Sequence, residues 1–215
     1  MGDAVCPIAS DILQMRREID ELQEQVRTDH LTGLFNNRHL MYNLEQEMER
    51  TQRSHQPTTF ILLDIDHFKS FNDTFGHVVG DKVLVHLSSI IQNTVRKLDI
   101  PCRYGGEEFG IILPSTPLLI GIQVAERLCE KVETTPLELD NKALPITISL
   151  GVDKHLRSHS ETVKQFIARV DEQLYIAKNH GRNRVQHGNF TEKSKSHVSD
   201  SEKAALFSGQ PNENN

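Results

Sequence analysis

Apolar and polar positions divide the chain into three stretches of different texture. In residues 8–26, Ile8, Ile12, Met15, Ile19, Leu22 and Val26 recur in alternating steps of four and three. Charged side chains (Arg16, Arg17, Glu18, Asp20, Glu21, Glu24) flank that stripe. The pattern predicts a helix in residues 1–28, seamed against a second copy as a short coiled coil or lying on its own domain. Residues 29–187 mix helical periodicity with short continuous apolar runs and predict one globular body. Residues 188–215 are Ser, Lys, Glu and Asn with almost no apolar content, the composition of a disordered tail.

Within the body, Asn36-Asn37 caps a helix that runs to about residue 53. Residues 58–64 (TTFILLD) are β-branched and apolar, which predicts a buried strand. A helix is expected over residues 80–97, with Val83, Leu84, Leu87, Ile90, Ile91 and Val95 inward. Residues 103–104 and 108–113 read as strands joined at Gly105-Gly106, a hairpin signal. Pro117 opens a helix to about residue 133, and strands are expected at 137–139 and 145–152. A helix follows over 161–180, closed by Gly181, and a last strand starts at Val185. Strand pairs joined by tight turns require a largely antiparallel sheet with helices packed on it, an α+β class.

Charge and composition narrow the function. The net charge of −6 argues against a general nucleic-acid binder, although one local cationic spot could still hold a nucleotide. No run reaches the ~18 apolar residues of a membrane span, and the N-terminus carries no basic-then-apolar signal sequence. Cys6, Cys102 and Cys129 are odd in number and scattered, which suggests neither a disulfide framework nor a zinc knuckle. A cytoplasmic location is the expectation from that cysteine usage.

Two acidic spots could carry chemistry. At the hairpin tip, Gly105 and Gly106 let backbone approach a ligand, and Glu107 and Glu108 follow directly. Adjacent acids repel unless a cation or proton lies between them, so the tip is either a solvated turn or a cation site. The second spot, Asp64-Ile65-Asp66, ends the buried strand and places two carboxylates on one face. Magnesium chemistry with phosphates needs such oxygen donors. Lys178 and Arg182 are four apart near the last helix's end, where they could complement the helix dipole or clamp a triphosphate.

These segments together closely resemble the GGDEF family of diguanylate cyclases. The resemblance is carried by Asp29-His30-Leu31-Thr32-Gly33-Leu34, Leu63-Asp64-Ile65-Asp66-His67-Phe68-Lys69, Phe71-Asn72-Asp73 and Gly76-His77-Val78-Val79-Gly80-Asp81. Arg103 through Phe109 is the signature loop in its GGEEF form, and residues 146–152 and 171–184 complete the match. The resemblance implies a five-stranded, mainly antiparallel sheet wrapped by helices, like nucleotidyl cyclase and polymerase palm domains. It implies condensation of two GTP into cyclic di-GMP by two half-sites on facing subunits of a homodimer.

Residue roles follow from the same resemblance. Asp64, the Ile65 carbonyl and Glu107 would hold magnesium or manganese, two ions per site. Glu107 and Glu108 would accept the proton of the attacking ribose 3′-hydroxyl, and Lys69 would stabilise charge on the transferred phosphoryl. Phe68, Asn72, His77, Asp81, Gly105 and Gly106 would contact GTP, and Lys178 and Arg182 would grip the terminal phosphates. Asp81 can accept from guanine N1–H and the exocyclic amine together, a donor pair adenine lacks. Arg96 and Asp99, with five residues between Asp99 and Gly105, match the family's RxxD product-inhibition site. The same spacing on its own also describes a solvated helix end. The resemblance makes residues 8–26 a signalling helix, with an upstream sensor domain or protein as a possible partner. The alternative reading is a non-catalytic cyclic di-GMP receptor or scaffold acting through Arg96 and Asp99.

Overall fold

A computed structural model of the chain describes residues 15–16, 27–140 and 142–189. The expected heptad seam lies outside the described residues apart from Met15 and Arg16, and so does nearly all of the expected tail. The elements are α1 (Asn37–Ser54), β1 (Thr58–Ile65), α2 (Phe68–Phe75), α3 (His77–Gln92), β2 (Ile100–Arg103) and β3 (Glu108–Leu113). They continue as α4 (Leu118–Thr134), β4 (Leu137–Leu139), β5 (Lys142–Leu144), β6 (Ile148–His155), α5 (Val163–Asn179) and β7 (Arg184–His187).

Five strands form the main sheet in the order β2-β3-β1-β6-β7. The β2–β3, β3–β1 and β1–β6 pairs are antiparallel, and β7 joins β6 in parallel. The mainly antiparallel α+β architecture expected from the sequence is therefore present. β1 lies at the centre and is buried along its whole length, which explains why its sequence shows no alternation. Its side chains still divide by face. Ile61, Leu63 and Ile65 pack with α3 and α4 in one core, and Phe60 and Leu62 pack with α1 and α5 in the other. Gly151 of β6 lets α5 lie directly on the sheet, because a Cβ there would overlap the Val170 carbonyl and the Leu174 N–H.

Caps fix where helices begin and end. The Asn36 side chain accepts from the His39 N–H at 3.0 Å and starts α1. Thr162 and Gln165 form a reciprocal capping box on α5. The helix expected over 80–97 is displaced. Gly76, at φ 83°, ends the unexpected α2 and starts α3 three residues early. α3 stops at Gln92, and Asp99 then gathers the following turn by accepting the Arg96 N–H at 2.7 Å. The strand expected at 145–152 is shifted along the chain, and a short extra strand precedes it. β5 pairs with β4 in a separate hairpin, and β6 starts only at Ile148. No helix among the described residues is long and apolar enough to cross a membrane.

Candidate functional site: an acidic strand end beside a glycine-tipped hairpin

The β1–β3 register sets Asp64 opposite Glu108. Directly opposed residues on antiparallel strands bring their Cβ atoms to about 4.5–5.5 Å. The strand-end acid and the acidic hairpin are therefore neighbours. Burial raises the Asp64 carboxyl above its ordinary range, helped by Asp66 and opposed by Lys178 and Arg182. Glu107 is raised by burial, then by Asp64 and Glu108. Glu108 is raised by burial, then by Asp64 and Asp171. The carboxyls thus hold one another's negative charge at a cost that a nearby cation relieves. Lys178 Nζ supplies part of that relief, 3.0 Å from Asp64 Oδ2.

Asp66 does not share this role. Its carboxylate accepts from Thr147 Oγ1 at 2.8 Å, Ser149 Oγ at 2.6 Å and the Asn183 N–H at 3.0 Å. It fastens the end of β1 to β6 and to the turn after α5. Asp66 lies near enough to raise the Asp64 carboxyl, and its own oxygens are taken up by these donors. Lys178 and Arg182 do not share a helical face. α5 ends at Asn179, and Arg182 sits in the following turn at φ 62°, its N–H bonded to the Ala177 carbonyl. The turn nonetheless brings Arg182 close enough to Asp64 to lower its pKa.

The hairpin tip is held by a clamp that sequence reasoning missed. Arg103 Nε donates to the Gly105 and Gly106 carbonyls at 3.2 Å each, and Nη2 donates to Gly106 at 2.8 Å. Its Nη1 donates to both Asp29 carboxylate oxygens, at 3.1 and 3.2 Å. Burial alone would raise Asp29, but bonds from Thr32 and Arg103 outweigh it and lower the carboxyl. Arg103 and Asp29 are 74 residues apart. Neither Gly105 nor Gly106 has positive φ, so at this tip glycine supplies clearance rather than an unusual backbone. A Cβ on Gly106 would meet nothing within 4 Å, which leaves open space over the tip.

α2 and α3 border the site on the other side. Asn72 reaches across Gly80, where a Cβ would overlap its Oδ1. That oxygen is buried and accepts no hydrogen bond. His77 and Asp81 are exposed near the start of α3, and Lys69 is exposed in the first turn of α2. Phe68, the first residue of α2, is 6% exposed, and its side chain packs in the core. The N-cap position of α2, His67, makes no side-chain cap bond. Across the sheet, a cavity of about 580 Å³ opens beside Glu108, lined in part by Tyr104, Lys164 and Asp171. Arg96 is exposed and Asp99 half-buried at the turn before β2, away from the hairpin tip in sequence.

A five-stranded sheet of this order, with a carboxylate at the end of its central strand and an acidic glycine hairpin beside it, matches one class of domain. The family model described as "Diguanylate cyclase, GGDEF domain" matches residues 26–184, and the chain belongs to this family. The response regulator PleD of Caulobacter vibrioides is 39% identical over 173 residues, 80% of this chain and 38% of PleD. Diguanylate cyclase DgcP of Pseudomonas aeruginosa is 36% identical over 184 residues, 86% of this chain and 27% of DgcP. The chain thus spans well under half the length of these curated relatives. Among solved structures, diguanylate cyclase SiaD of Pseudomonas aeruginosa, in complex with its activator SiaC, superimposes with a TM-score of 0.73. It is 37% identical, with 84% of this chain and 69% of that chain covered. The GGDEF domain of DgcB from Caulobacter crescentus, in complex with c-di-GMP, gives a TM-score of 0.71 at 32% identity, covering 75% and 92% of the two chains.

Proposed function

We propose that the protein is a diguanylate cyclase, condensing two GTP into cyclic di-GMP with release of two pyrophosphates. The observation that carries this reading is the β1–β3 register, which pairs Asp64 with Glu108 and sets Glu107 beside them. The donor set Asp64 carboxylate, Ile65 carbonyl and Glu107 carboxylate is all hard oxygen and suits Mg²⁺ or Mn²⁺. The mutual repulsion that raises these carboxyls is also what a dication would relieve. Bound there, the metal would neutralise phosphate charge and polarise the phosphoryl group under attack.

The chain's own residues account for the rest. Asn72 Oδ1, buried and unbonded, is an acceptor waiting for a donor such as guanine's exocyclic amine. Asp81, beside Gly80, can accept from guanine N1–H and the amine together. The uncapped start of α2 and Lys69 in its first turn offer N–H groups and a cation to phosphate oxygens. Lys178 and Arg182 bring further positive charge to the terminal phosphates. Glu107 or Glu108, with a raised pKa, can take the proton from a ribose 3′-hydroxyl as it attacks the α-phosphorus of the other GTP. The bond to pyrophosphate breaks as the new P–O bond forms, and a second such step closes the ring. One chain carries one set of these groups, so two chains facing each other make the working unit, and the acceleration comes from positioning and charge.

Product feedback is part of the same proposal. Arg96 keeps its guanidinium on the exposed side of the turn that Asp99 closes, where it can stack on or fork to guanine. The test is incubation of the purified full chain with GTP and Mg²⁺, with chromatography of the products and molar mass measured with and without nucleotide. Cyclic di-GMP formation that is lost in Glu107→Ala supports the proposal. A dimeric sample that makes no cyclic di-GMP would refute it.

A further inference from the structure

The other end of the sheet carries a second cluster of ionisable groups that nucleotide chemistry does not use. β6 ends at His155, which pairs with Thr58 at the start of β1, whereas Asp64 pairs with Ser149. Six residues of strand separate the two positions, roughly 20 Å at about 3.3 Å per residue. After β6 the chain turns back and brings His159 and Glu161 to His155. His155 Nδ1 lies 2.7 Å from Glu161 Oε1, and His159 Nδ1 lies 3.4 Å from the same oxygen. All three atoms fall within 4.8 Å of one another.

Two features distinguish this group from an ordinary buried ion pair. His159 Nδ1 is buried and has no hydrogen-bond partner, its 3.4 Å approach to Glu161 being off hydrogen-bond geometry. A buried ring nitrogen left without a partner needs an explanation, and a bound cation is one. The residues behind the trio also hold it in position. Arg169 donates to Glu161 Oε2 and Oε1 at 3.0 Å each and is itself held by Asp153 and the Lys154 carbonyl. Gln52 Nε2 lies 3.3 Å from His155 Nε2 and donates to the His159 carbonyl at 3.2 Å, which ties the loop to α1. Hydrogen bonds of this kind to a carboxylate fix its orientation in metal sites. A cavity of about 370 Å³ leads to the trio between α1 and the loop after β6, past Met48, Glu49 and Ser160.

We propose that His155, His159 and Glu161 form a binding site for a divalent transition metal of the Zn²⁺ class, separate from the nucleotide site. Two imidazoles and one carboxylate suit zinc, which accepts N and O ligands at about 2.0–2.2 Å with water as fourth ligand. The same set is poor for Mg²⁺, which prefers oxygen donors and keeps its waters. Metal here ties the loop between β6 and α5 onto the end of β6.

The test is titration of the full chain with Zn²⁺ against a chromogenic chelator, in excess Mg²⁺, with Co²⁺ spectra as a second readout. The expected result is one site per chain that Mg²⁺ does not block, with Co²⁺ giving the intense d–d bands of a low-coordinate N/O site. His159→Ala should weaken Zn²⁺ by more than the 10–100-fold typical of losing an outer partner. His159→Asn serves as a second variant should the first fold poorly, and an anomalous zinc peak bonded to His155 Nδ1 and Glu161 Oε1 would locate the ion. The absence of a Zn²⁺ site in the wild-type chain would overturn the proposal. So would undiminished affinity in a folded His159 variant, which would assign the metal to other histidines.

Discussion

Replacing Arg103 by Lys tests whether the hairpin tip owes its position to the Asp29–Arg103 clamp. Arg103 makes three hydrogen bonds to the Gly105 and Gly106 carbonyls and two to Asp29. A lysine keeps the charge, but its single nitrogen can serve either the carbonyls or Asp29, not both. At least two bonds are then lost, each worth about 0.5–1.5 kcal/mol net, so stability should fall by about 1–3 kcal/mol. For a domain of this size that is a drop of roughly 2–12 °C in Tm. Activity should fall further, because the tip carries Glu107, and a misplacement of about 1 Å can cost on the order of 10²-fold. The assay pairs thermal melts with initial rates of cyclic di-GMP formation, separating kcat from KM. A double-mutant cycle with Asp29→Asn should show coupling, since both changes act through one contact. Full kcat in Arg103→Lys, or strict additivity in the cycle, would show that the tip holds its place by other means.

Three further predictions follow from the same contacts. Glu108→Gln removes a like charge from beside Asp64, so it should leave Tm unchanged or raise it while slowing the reaction; a clear loss of Tm would mean the carboxyls do not repel. Near neutral pH that stabilisation should be fullest, because the raised carboxyls are costly only once ionised, and melts of both proteins should converge as pH falls below the ordinary carboxylate range. Glu161, held down to about 2 from an ordinary 4.5 against the effect of burial by His155 and Arg169, contributes stability that is lost as pH falls from 4.5 towards 2. In chelator, Glu161→Gln should therefore flatten the acid limb of the Tm–pH profile, and an unchanged limb would refute that source of stability. Gly151→Ala forces a Cβ into the α5 backbone and should destabilise by about 1–3 kcal/mol or more in denaturant unfolding, whereas a neutral result would mean α5 can slide away from β6.

Much of this protein was legible from local pattern. The continuous apolar run of β1, the Asn36 cap, the glycine hairpin and the acids that follow it all report themselves within a few residues, because propensity, capping and alternation are short-range effects. The motif strings also placed the chain in its family. Three-dimensional pairing decided the rest. That Asp64 faces Glu108 depends on strand register, and that Asp66 fastens the end of β1 depends on Thr147, Ser149 and Asn183 arriving from elsewhere. Asp29 and Arg103 give no sign of each other across a separation of 74 residues, and Arg182 left the helical face on which spacing had set it. His155, His159 and Glu161 are unremarked in the sequence because a strand end and a loop must first close on each other. Short-range preferences are written in neighbouring residues, but a site built from several strands exists only once the chain has folded and its long-range contacts have fixed which side chains meet.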